Sequence, residues 1–473
     1  MRPFTGGTGH FFQKGGTMEQ FDVIVIGTGT AGQTAAYDLA AEGYRVAIAE
    51  NSPTPGGVCA LRGCQAKKWF YETMEVVARS RHLLGKGITK LPGFNWDQVQ
   101  KQKTRFTSKV PENTIAGLKG SGITYLQGQA KFLDTTTLRI GENDYKTRYV
   151  IVATGAVPAQ LPIDGAQHLI TSDDFLNLTA LPPRIAFIGG GFISFEFAHF
   201  AARLGSRNQN IHILEAGDRT LGPFDQDMVT QLVRASEADG IQVRTGVSIT
   251  SVTKNSDEYT VHFKSGPPLV VDLVVNSAGR TPDIEPLSPD TAGIKSSRRG
   301  IDVNPAMQTS IPHIFAIGDC ADTVMLARVA DMEAHVAARS IMALENGTDL
   351  PVMDYTVVPA VLFTYPQLGM VGKTEEMLQK ENTPYRKSHE TELNWPTYRR
   401  IGMTHAAYKI LTDDKGGILG AHFLGDNTTG LVNIFKQAMI DKTPVSRLKN
   451  DHIMAPYPSR ESDILYMLDP LID

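Results

Sequence analysis

Apolar runs too short to be helices alternate along the chain with longer stretches of helical pattern. Phe21-Asp22-Val23-Ile24-Val25-Ile26 is almost uninterruptedly apolar, the composition of a strand buried on both faces in a parallel sheet. Residues 33–42 then carry a helical pattern, and residues 45–49 form a second buried strand. The same order returns about 160 residues later, which reads as an internal repeat: a strand at Arg184–Ile188, a helical run at 195–204 and a strand at Asn210–Leu214. Residues 149–152 are another apolar strand, 66–84 have the apolar content of a helix, and 325–344 read as one long helix. Residues 408–412 and 417–423 form a meander broken by Asp413-Asp414-Lys415-Gly416. The pattern predicts an α/β chain with two repeated units and a C-terminal α+β part.

The turns inside the repeats carry chemistry. The first strand runs into Gly27-Thr28-Gly29-Thr30-Ala31-Gly32. Strand, G-x-G-x-x-G and helix in succession are the dinucleotide fingerprint in its required context. Gly27 makes the turn, Gly29 lets backbone reach a pyrophosphate, and Gly32 lets helix and strand pack closely, with the phosphates at the helix N-terminus. Glu50 ends the second strand, where a carboxylate binds ribose hydroxyls. In the second unit the turn is Gly189-Gly190-Gly191-Phe192-Ile193-Ser194, with Ser194 in the place of the third small residue, and Glu215 ends the next strand. A carboxylate there accepts from ribose hydroxyls and repels a 2′-phosphate. The following loop offers only Arg219, beside Asp218. NADH is therefore expected in preference to NADPH, in the second of two Rossmann-like dinucleotide-binding domains.

Between the units lies Gly56-Gly57-Val58-Cys59-Ala60-Leu61-Arg62-Gly63-Cys64-Gln65-Ala66-Lys67-Lys68, which holds two of the three cysteines. Gly56 and Gly57 allow a tight turn and close approach to a planar ligand. If a helix begins near Cys59, both cysteines lie on its first turns, where a thiolate is favoured. The spacing alone leaves two readings open, a redox-active dithiol and a pair of small buried residues. C-x4-C is too wide for a zinc knuckle and no second pair completes one, so no metal site is expected. The segment begins six residues after Glu50. A dithiol beside a bound dinucleotide makes sense if that dinucleotide is FAD, because a flavin passes electrons to a disulfide. Two dinucleotides and one dithiol make a pyridine nucleotide–flavin–disulfide relay.

With 473 residues the chain has room for two to four domains. A net charge of -4 gives no reason to expect nucleic acid, and no apolar run reaches membrane-spanning length. Three cysteines are not a secreted disulfide framework, so a cytoplasmic setting is expected. Residues 1–17, rich in Gly and Thr, read as a leader or tag, with Met18 the functional start.

From residue 18 to the end, the sequence resembles the pyridine nucleotide–disulfide oxidoreductases of the glutathione reductase, dihydrolipoamide dehydrogenase and mercuric reductase group. Gly27–Gly32 with Glu50, Ala153-Thr154-Gly155 and residues 314–319, ending in Asp319, are similar to its three FAD signatures. Gly56–Lys67 resembles its redox-active disulfide, Gly189–Glu196 its NAD(P) fingerprint, and Ser277-Ala278-Gly279-Arg280-Thr281-Pro282 its G-R-x-P turn. Phe363-Thr364-Tyr365-Pro366 resembles the start of its dimerisation domain. The resemblance implies that Cys64 is the flavin-proximal thiol and Cys59 the interchange thiol. It implies that Lys67 lies near the flavin and pairs with Glu196, with Lys68 as competing candidate and a surface lysine as the alternative. Cofactor-binding residues are expected at Gly27, Gly29, Gly32, Glu50, Gly57, Ala130, Thr154, Gly155, Gly189, Gly191, Glu215, Gly279, Arg280 and Asp319. Cys320 is expected to be buried filler, and Arg328, Asp331 and Glu333 to be solvated faces without a role.

The C-terminus departs from the family pattern. A His-Pro-Thr segment, whose His is supplied by the partner subunit, corresponds here to Tyr457-Pro458-Ser459, and the following Glu to Ser462. Tyr is a poor base at neutral pH, with a reference pKa of about 10 against about 6.5 for His. It donates a hydrogen bond or orients an acceptor instead. Mercuric reductases are similar in having Tyr here, but no cysteine follows Cys320, so their C-terminal cysteine pair is absent. Leu61 and Ala66, usually Asn and Pro, also depart from the pattern. His452 reads as an ordinary loop histidine.

The expected division is an FAD-binding domain from residues 18–158 and 282–352, an NAD(P)-binding domain from 159–281, and a dimerisation domain from 353–473. The expected protein is a homodimeric FAD-dependent enzyme with Cys59, Cys64, Lys67, Glu196 and Tyr457 as catalytic residues. It passes electrons from NADH to a small-molecule or small-protein disulfide or related acceptor. Two alternatives stand beside it: direct reduction of metals, quinones or oxygen at the flavin, and a non-catalytic flavoprotein with a binding role.

Overall fold

Three sheets and the helices on them follow the apolar pattern closely. The computed structural model describes residues 18–205, 210–452 and 454–472. The leader expected at 1–17 and the side chain of His452 lie outside the described residues. In the first sheet the strands run Thr124–Gln127, Val46–Glu50, Glu19–Ile26, Asn143–Val152, Thr137–Ile140 and Ala130–Phe132, and Ile314–Ala316 also pairs with Asn143–Val152. The central strands are parallel, with Val25 opposite both Ile48 and Ile151. Asn143–Val152 is long enough for two partners: its start pairs antiparallel with Thr137–Ile140, and Val150–Val152 pair parallel with Ile314–Ala316. A segment remote in sequence thus returns to complete the first sheet.

Helices Thr30–Ala41 and Ala327–Asn346 cover one face of this sheet, with Ala35, Leu39, Ala334, Ala337 and Ile341 in a common core. The first helix starts three residues earlier than its periodicity indicated, because Gly29 is its extended N-cap and the nucleotide turn merges with the first helical turn. The second sheet is parallel throughout, in the order Ile241–Arg244, Asn210–Leu214, Arg184–Ile188, Leu273–Asn276, Ile170–Thr171. Strands Ala156–Pro158 and Arg280–Pro282 pair antiparallel where the chain leaves the first sheet and comes back.

The third sheet is antiparallel, ordered Ala360–Leu362, Gln367–Gly372, Ile418–Gly425, Ala407–Thr412, Arg386–Glu390. Helix Thr428–Ile440 packs on it. The expected meander around residues 413–416 is present. Every residue of Ala407–Thr412 is buried, including Lys409. Its ammonium meets Asp225 at 2.9 Å, Asp227 at 2.7 Å and Glu375 at 2.6 Å. A buried ammonium stripped of water needs such partners, and here they tie helix Gln226–Ala238 of the second unit to the third sheet.

Two expectations are corrected. The cysteine segment is not the start of one helix: Gly57–Leu61 and Cys64–His82 are separate helices, broken at Arg62 and Gly63. Gly63 supplies the break, at φ -133° and ψ -120°. The second correction concerns helix Ala327–Asn346. Only Arg328 is a solvated face there. Glu333 is fully buried and accepts from Gly318 N at 2.6 Å and from the Tyr355 hydroxyl at 2.7 Å. Asp331 accepts from the Thr30 hydroxyl and pairs with Arg328 at 2.7 Å. Both carboxylates fasten the long helix to the first sheet and its glycine turn. Helical spacing could not show it, because the fastening partners Thr30, Gly318 and Tyr355 lie outside the helix.

Candidate active site

A cavity of about 980 Å³ opens between the first unit, the second unit and the start of helix Ala327–Asn346. Its wall includes Gly27, Gly29, Glu50, Gly57, Ala130, Thr154, Gly155, Arg280 and Asp319, together with Cys59, Cys64, Lys67 and Glu196. Close backbone packing shapes the wall. A Cβ on Gly32 would lie 2.0 Å from the Gly27 carbonyl oxygen, and one on Gly57, which sits at φ +75°, 2.4 Å from Gly29 Cα. The nucleotide turn and the cysteine segment therefore touch through glycines, and no larger residue fits either contact. Glu50 accepts from Thr28 N at 3.0 Å, Thr28 Oγ1 at 2.5 Å and Ser52 N at 2.8 Å, which fixes its carboxylate at the strand end. Thr154 Oγ1 is buried without a hydrogen-bond partner in the wall of the cavity. Burial pushes the Asp319 carboxyl above its ordinary pKa. A glycine-lined backbone cradle, an anchored carboxylate and an unused hydroxyl fit FAD.

Gly189, Gly191, Glu215 and Gly279 stand apart from this wall, around the second turn. There the Ser194 hydroxyl bonds the Gly189 carbonyl oxygen and lies 2.7 Å from Ser277 Oγ. A hydroxyl thus does what the missing third glycine does by contact, drawing helix and strand together. Glu215 accepts from Gly190 N at 2.5 Å and Gly217 N at 2.6 Å.

Helix geometry places the thiols. Cys59 sits in the short helix Gly57–Leu61, and Cys64 is the first residue of Cys64–His82, where open backbone N–H groups favour a negative charge. Both thiols are free and hydrogen-bonded to each other. The bond from Cys59 lowers the Cys64 pKa to about 6, with help from Lys67, while Cys59 is raised. The pair thus favours the thiolate on Cys64 and the thiol on Cys59.

Lys67 Nζ meets Glu196 Oε2 at 2.5 Å, and Glu196, 1% exposed, also accepts from Phe363 N at 3.0 Å. Lys68 makes no such pair. Its buried Nζ has no hydrogen-bond partner, faces the rings of Phe363 and Tyr71, and is lowered to about 7 by burial. Helix Phe192–Leu204, which carries Glu196, is anchored deeper by Arg203. This residue is 1% exposed, bonds His199 at 2.5 Å and the Tyr365 carbonyl at 2.6 Å, and pairs with Asp239.

Two further residues at the site, Arg62 and Asp173, escaped sequence reasoning. Arg62, on the break between the cysteines, and the expected Arg280 both approach Asp173, at 3.7 and 4.0 Å. A charged residue inside a two-cysteine motif is a signal that was available, but its partner lies too far along the chain to be guessed. Cys320 is buried filler, its thiol donating to the carbonyls of Val152 and Ile317. Tyr457 is not brought to this cavity; it is 78% exposed on the surface of its own chain.

Two nucleotide turns, with a thiol pair and a lysine–carboxylate pair beside one of them, define a nucleotide-linked thiol redox enzyme. Residues 21–334 match the family model described as pyridine nucleotide-disulphide oxidoreductase, and residues 358–464 match that family's dimerisation domain. The chain belongs to this family, and is an FAD-dependent enzyme that uses a pyridine nucleotide. Among curated relatives, glutathione reductase of Burkholderia cepacia is 32% identical over 75% of this chain and 78% of its own length. Dihydrolipoyl dehydrogenase of Chlamydia muridarum is 30% identical over 88% of this chain and 89% of its own. Among solved structures, the HOCl-induced flavoprotein disulfide reductase RclA from Escherichia coli superposes with a TM-score of 0.83 at 25% identity, over 95% of this chain and 99% of that one. A Cu(II) complex of a mutant of that protein gives a TM-score of 0.85 at 25% identity, over 96% of this chain and 100% of that one. Among the described residues, no helix is long and apolar enough to cross a membrane.

Proposed function

We propose that the enzyme takes an electron pair from NADH, by way of FAD, into a Cys59–Cys64 disulfide and delivers it from Cys59 to a disulfide or related acceptor. The observation that carries the reading is the thiol pair, asymmetric in charge, in the same cavity as the Gly27–Gly29 turn and the Lys67–Glu196 pair. When bound, FAD accepts hydride from the nicotinamide and passes an electron pair to a disulfide.

The residues of this chain have the following tasks. Glu50, Thr154, Gly155 and Asp319 hold the flavin nucleotide, with Ala130 and Arg280 in the same wall. Gly189, Gly191, Glu215 and Gly279 receive the pyridine nucleotide. Lys67 presents a fixed positive charge at the flavin, and Glu196 keeps that charge in place. Reduction of the disulfide takes up two electrons and one proton, leaving a thiolate on Cys64 and a thiol on Cys59. Cys59 attacks the acceptor disulfide, its proton passes to the sulfur that leaves, and a mixed disulfide forms. Cys64 then attacks Cys59 sulfur, which closes the protein disulfide and releases the second thiolate. Tyr457 of one subunit orients the acceptor at the partner subunit's Cys59.

Glu215 supports NADH, since a carboxylate at the end of the strand after a nucleotide turn favours ribose hydroxyls and repels a 2′-phosphate. Arg219 is occupied by the Phe224 carbonyl oxygen and sits 3.9 Å from Glu376. The proposed working form is a homodimer in the cytoplasm. Its FAD-binding part is 18–158 with 282–352, its NAD(P)-binding part 159–281 and its dimerisation part 353–473.

One observation favours a second acceptor class. A Cu(II) complex of the superposable RclA from Escherichia coli is among the solved structures, so a reducible metal ion such as Cu(II) is a candidate substrate here. Turnover of Cys59→Ser separates the routes. Disulfide reduction through Cys59 is lost in that variant, whereas NADH-driven reduction of Cu(II) directly at the flavin survives. Undiminished disulfide reduction by Cys59→Ser would overturn the dithiol reading.

A further inference from the structure

The residues that follow Tyr457 are fastened to the third sheet. Arg460 is 8% exposed, and its Nε and Nη2 donate to the two oxygens of Asp426 at 2.6 and 3.0 Å. Asp426 directly follows the buried strand Ile418–Gly425. The guanidinium also lies 4.4 Å from the centre of the Tyr398 ring. Glu461 accepts from Asn427, and Asp463 from the Thr397 hydroxyl. Ser462 bonds only within its own turn, accepting from Ser459 N at 3.0 Å and donating to the Ser459 carbonyl at 2.7 Å. Tyr457, three residues before Arg460, stands in solvent and away from the cavity of its own chain.

A guanidinium fork meets a carboxylate in one plane, so a two-point pair fixes the direction of the backbone that carries it as well as its place. Taking both charges out of water is costly, and registry is the best-attested reason for retaining such a pair. Here the registered object is the short stretch that presents Tyr457.

We propose that Arg460 is a positioning residue for turnover: through its buried pair with Asp426 it sets where Tyr457 stands against the partner subunit's Cys59. The inference rests on the reading that Tyr457 completes the partner's site. Arg460 touches no reacting atom and acts only through Tyr457.

The test uses the flavin-loaded dimer, NADH and dithiobis-nitrobenzoate as disulfide probe. It also records the rate of flavin reduction by NADH without the probe. Arg460→Lys keeps the charge and loses the fork. Its kcat/KM for the probe should fall about tenfold, as small misplacements do, with flavin reduction and dimer assembly unchanged. Combined with Tyr457→Phe, it should add nothing to the loss from Tyr457→Phe alone. Wild-type turnover of Arg460→Lys, losses that multiply in the double variant, or an equal loss in flavin reduction would each overturn the proposal. If Arg460→Lys fails to assemble, Arg460→Met with Asp426→Leu, which leaves no lone buried charge, is judged by the same three outcomes. Wild-type turnover of Tyr457→Phe by itself would sink the reading of Tyr457 and the proposal with it. That variant alone decides this point, so the two failures are told apart.

Discussion

The cysteine segment and the C-terminal segment serve one proposed reaction but are built on opposite principles. Residues 57–67 are closed within one chain: glycine contacts fix the turn, the two thiols bond each other, and Lys67 is locked to a nearly unexposed Glu196. Residues 457–463 are rigid at their base, through Arg460 and Asp426, and open at their tip, where Tyr457 is 78% exposed. Electron transfer demands a preorganised, water-poor setting, which one chain can build alone. Handling an acceptor that must enter and leave calls for a group presented from outside, which a symmetric partner supplies.

The largest effect that would break this comparison is expected at the thiols. Cys64→Ser should lower NADH-driven disulfide reduction about a thousandfold or more, since it removes the resolving nucleophile. Steady-state assay with dithiobis-nitrobenzoate checks this, and substantial residual turnover would move the chemistry elsewhere. Glu196→Gln comes next. It leaves the Lys67 ammonium half-buried without its partner, and flavin reduction by NADH should slow about tenfold to a hundredfold, read by stopped-flow absorbance.

A smaller effect sharpens the contrast between closed and open segments. A dimer with Cys59→Ser in one subunit and Tyr457→Phe in the other should keep about half the wild-type turnover, because one site still combines an intact Cys59 with an intact Tyr457. Turnover no higher than that of the Tyr457→Phe homodimer would place Tyr457 with its own chain's thiols. The smallest effect is in pH. With Cys64 lowered to about 6, its thiolate in the reduced protein should persist at neutral pH and disappear as pH falls through about 6, whereas the raised Cys59 stays protonated. Thiolate absorbance in the ultraviolet checks this. Half-loss near the free-cysteine value of about 8.5 would contradict it.

Much of the frame was legible in the sequence. Strands Arg184–Ile188 and Asn210–Leu214 begin and end where apolar composition put them, because a strand buried on both faces admits little else. Gly27, Gly32 and Gly57 were legible because close approach of backbone leaves no substitute. The Lys67–Glu196 contact spans 129 positions and was available only through family resemblance. What stayed hidden was long-range polar pairing: Glu333 under Tyr355, Lys409 among three carboxylates, Arg460 on Asp426. Charged residues normally face solvent, so periodicity alone assigns them outward. The break at Gly63 was hidden for a different reason, since one glycine in a helical stretch is read as tolerated.

The measurement that tests the relay most directly is an anaerobic titration of the flavin-loaded enzyme with NADH, followed by visible absorbance. The account predicts that a long-wavelength band, from the Cys64 thiolate against oxidised flavin, appears after two electrons per subunit and is absent in Cys64→Ser. Direct bleaching of the flavin with no such band would show that the cysteines take no part in the transfer, and would contradict the account.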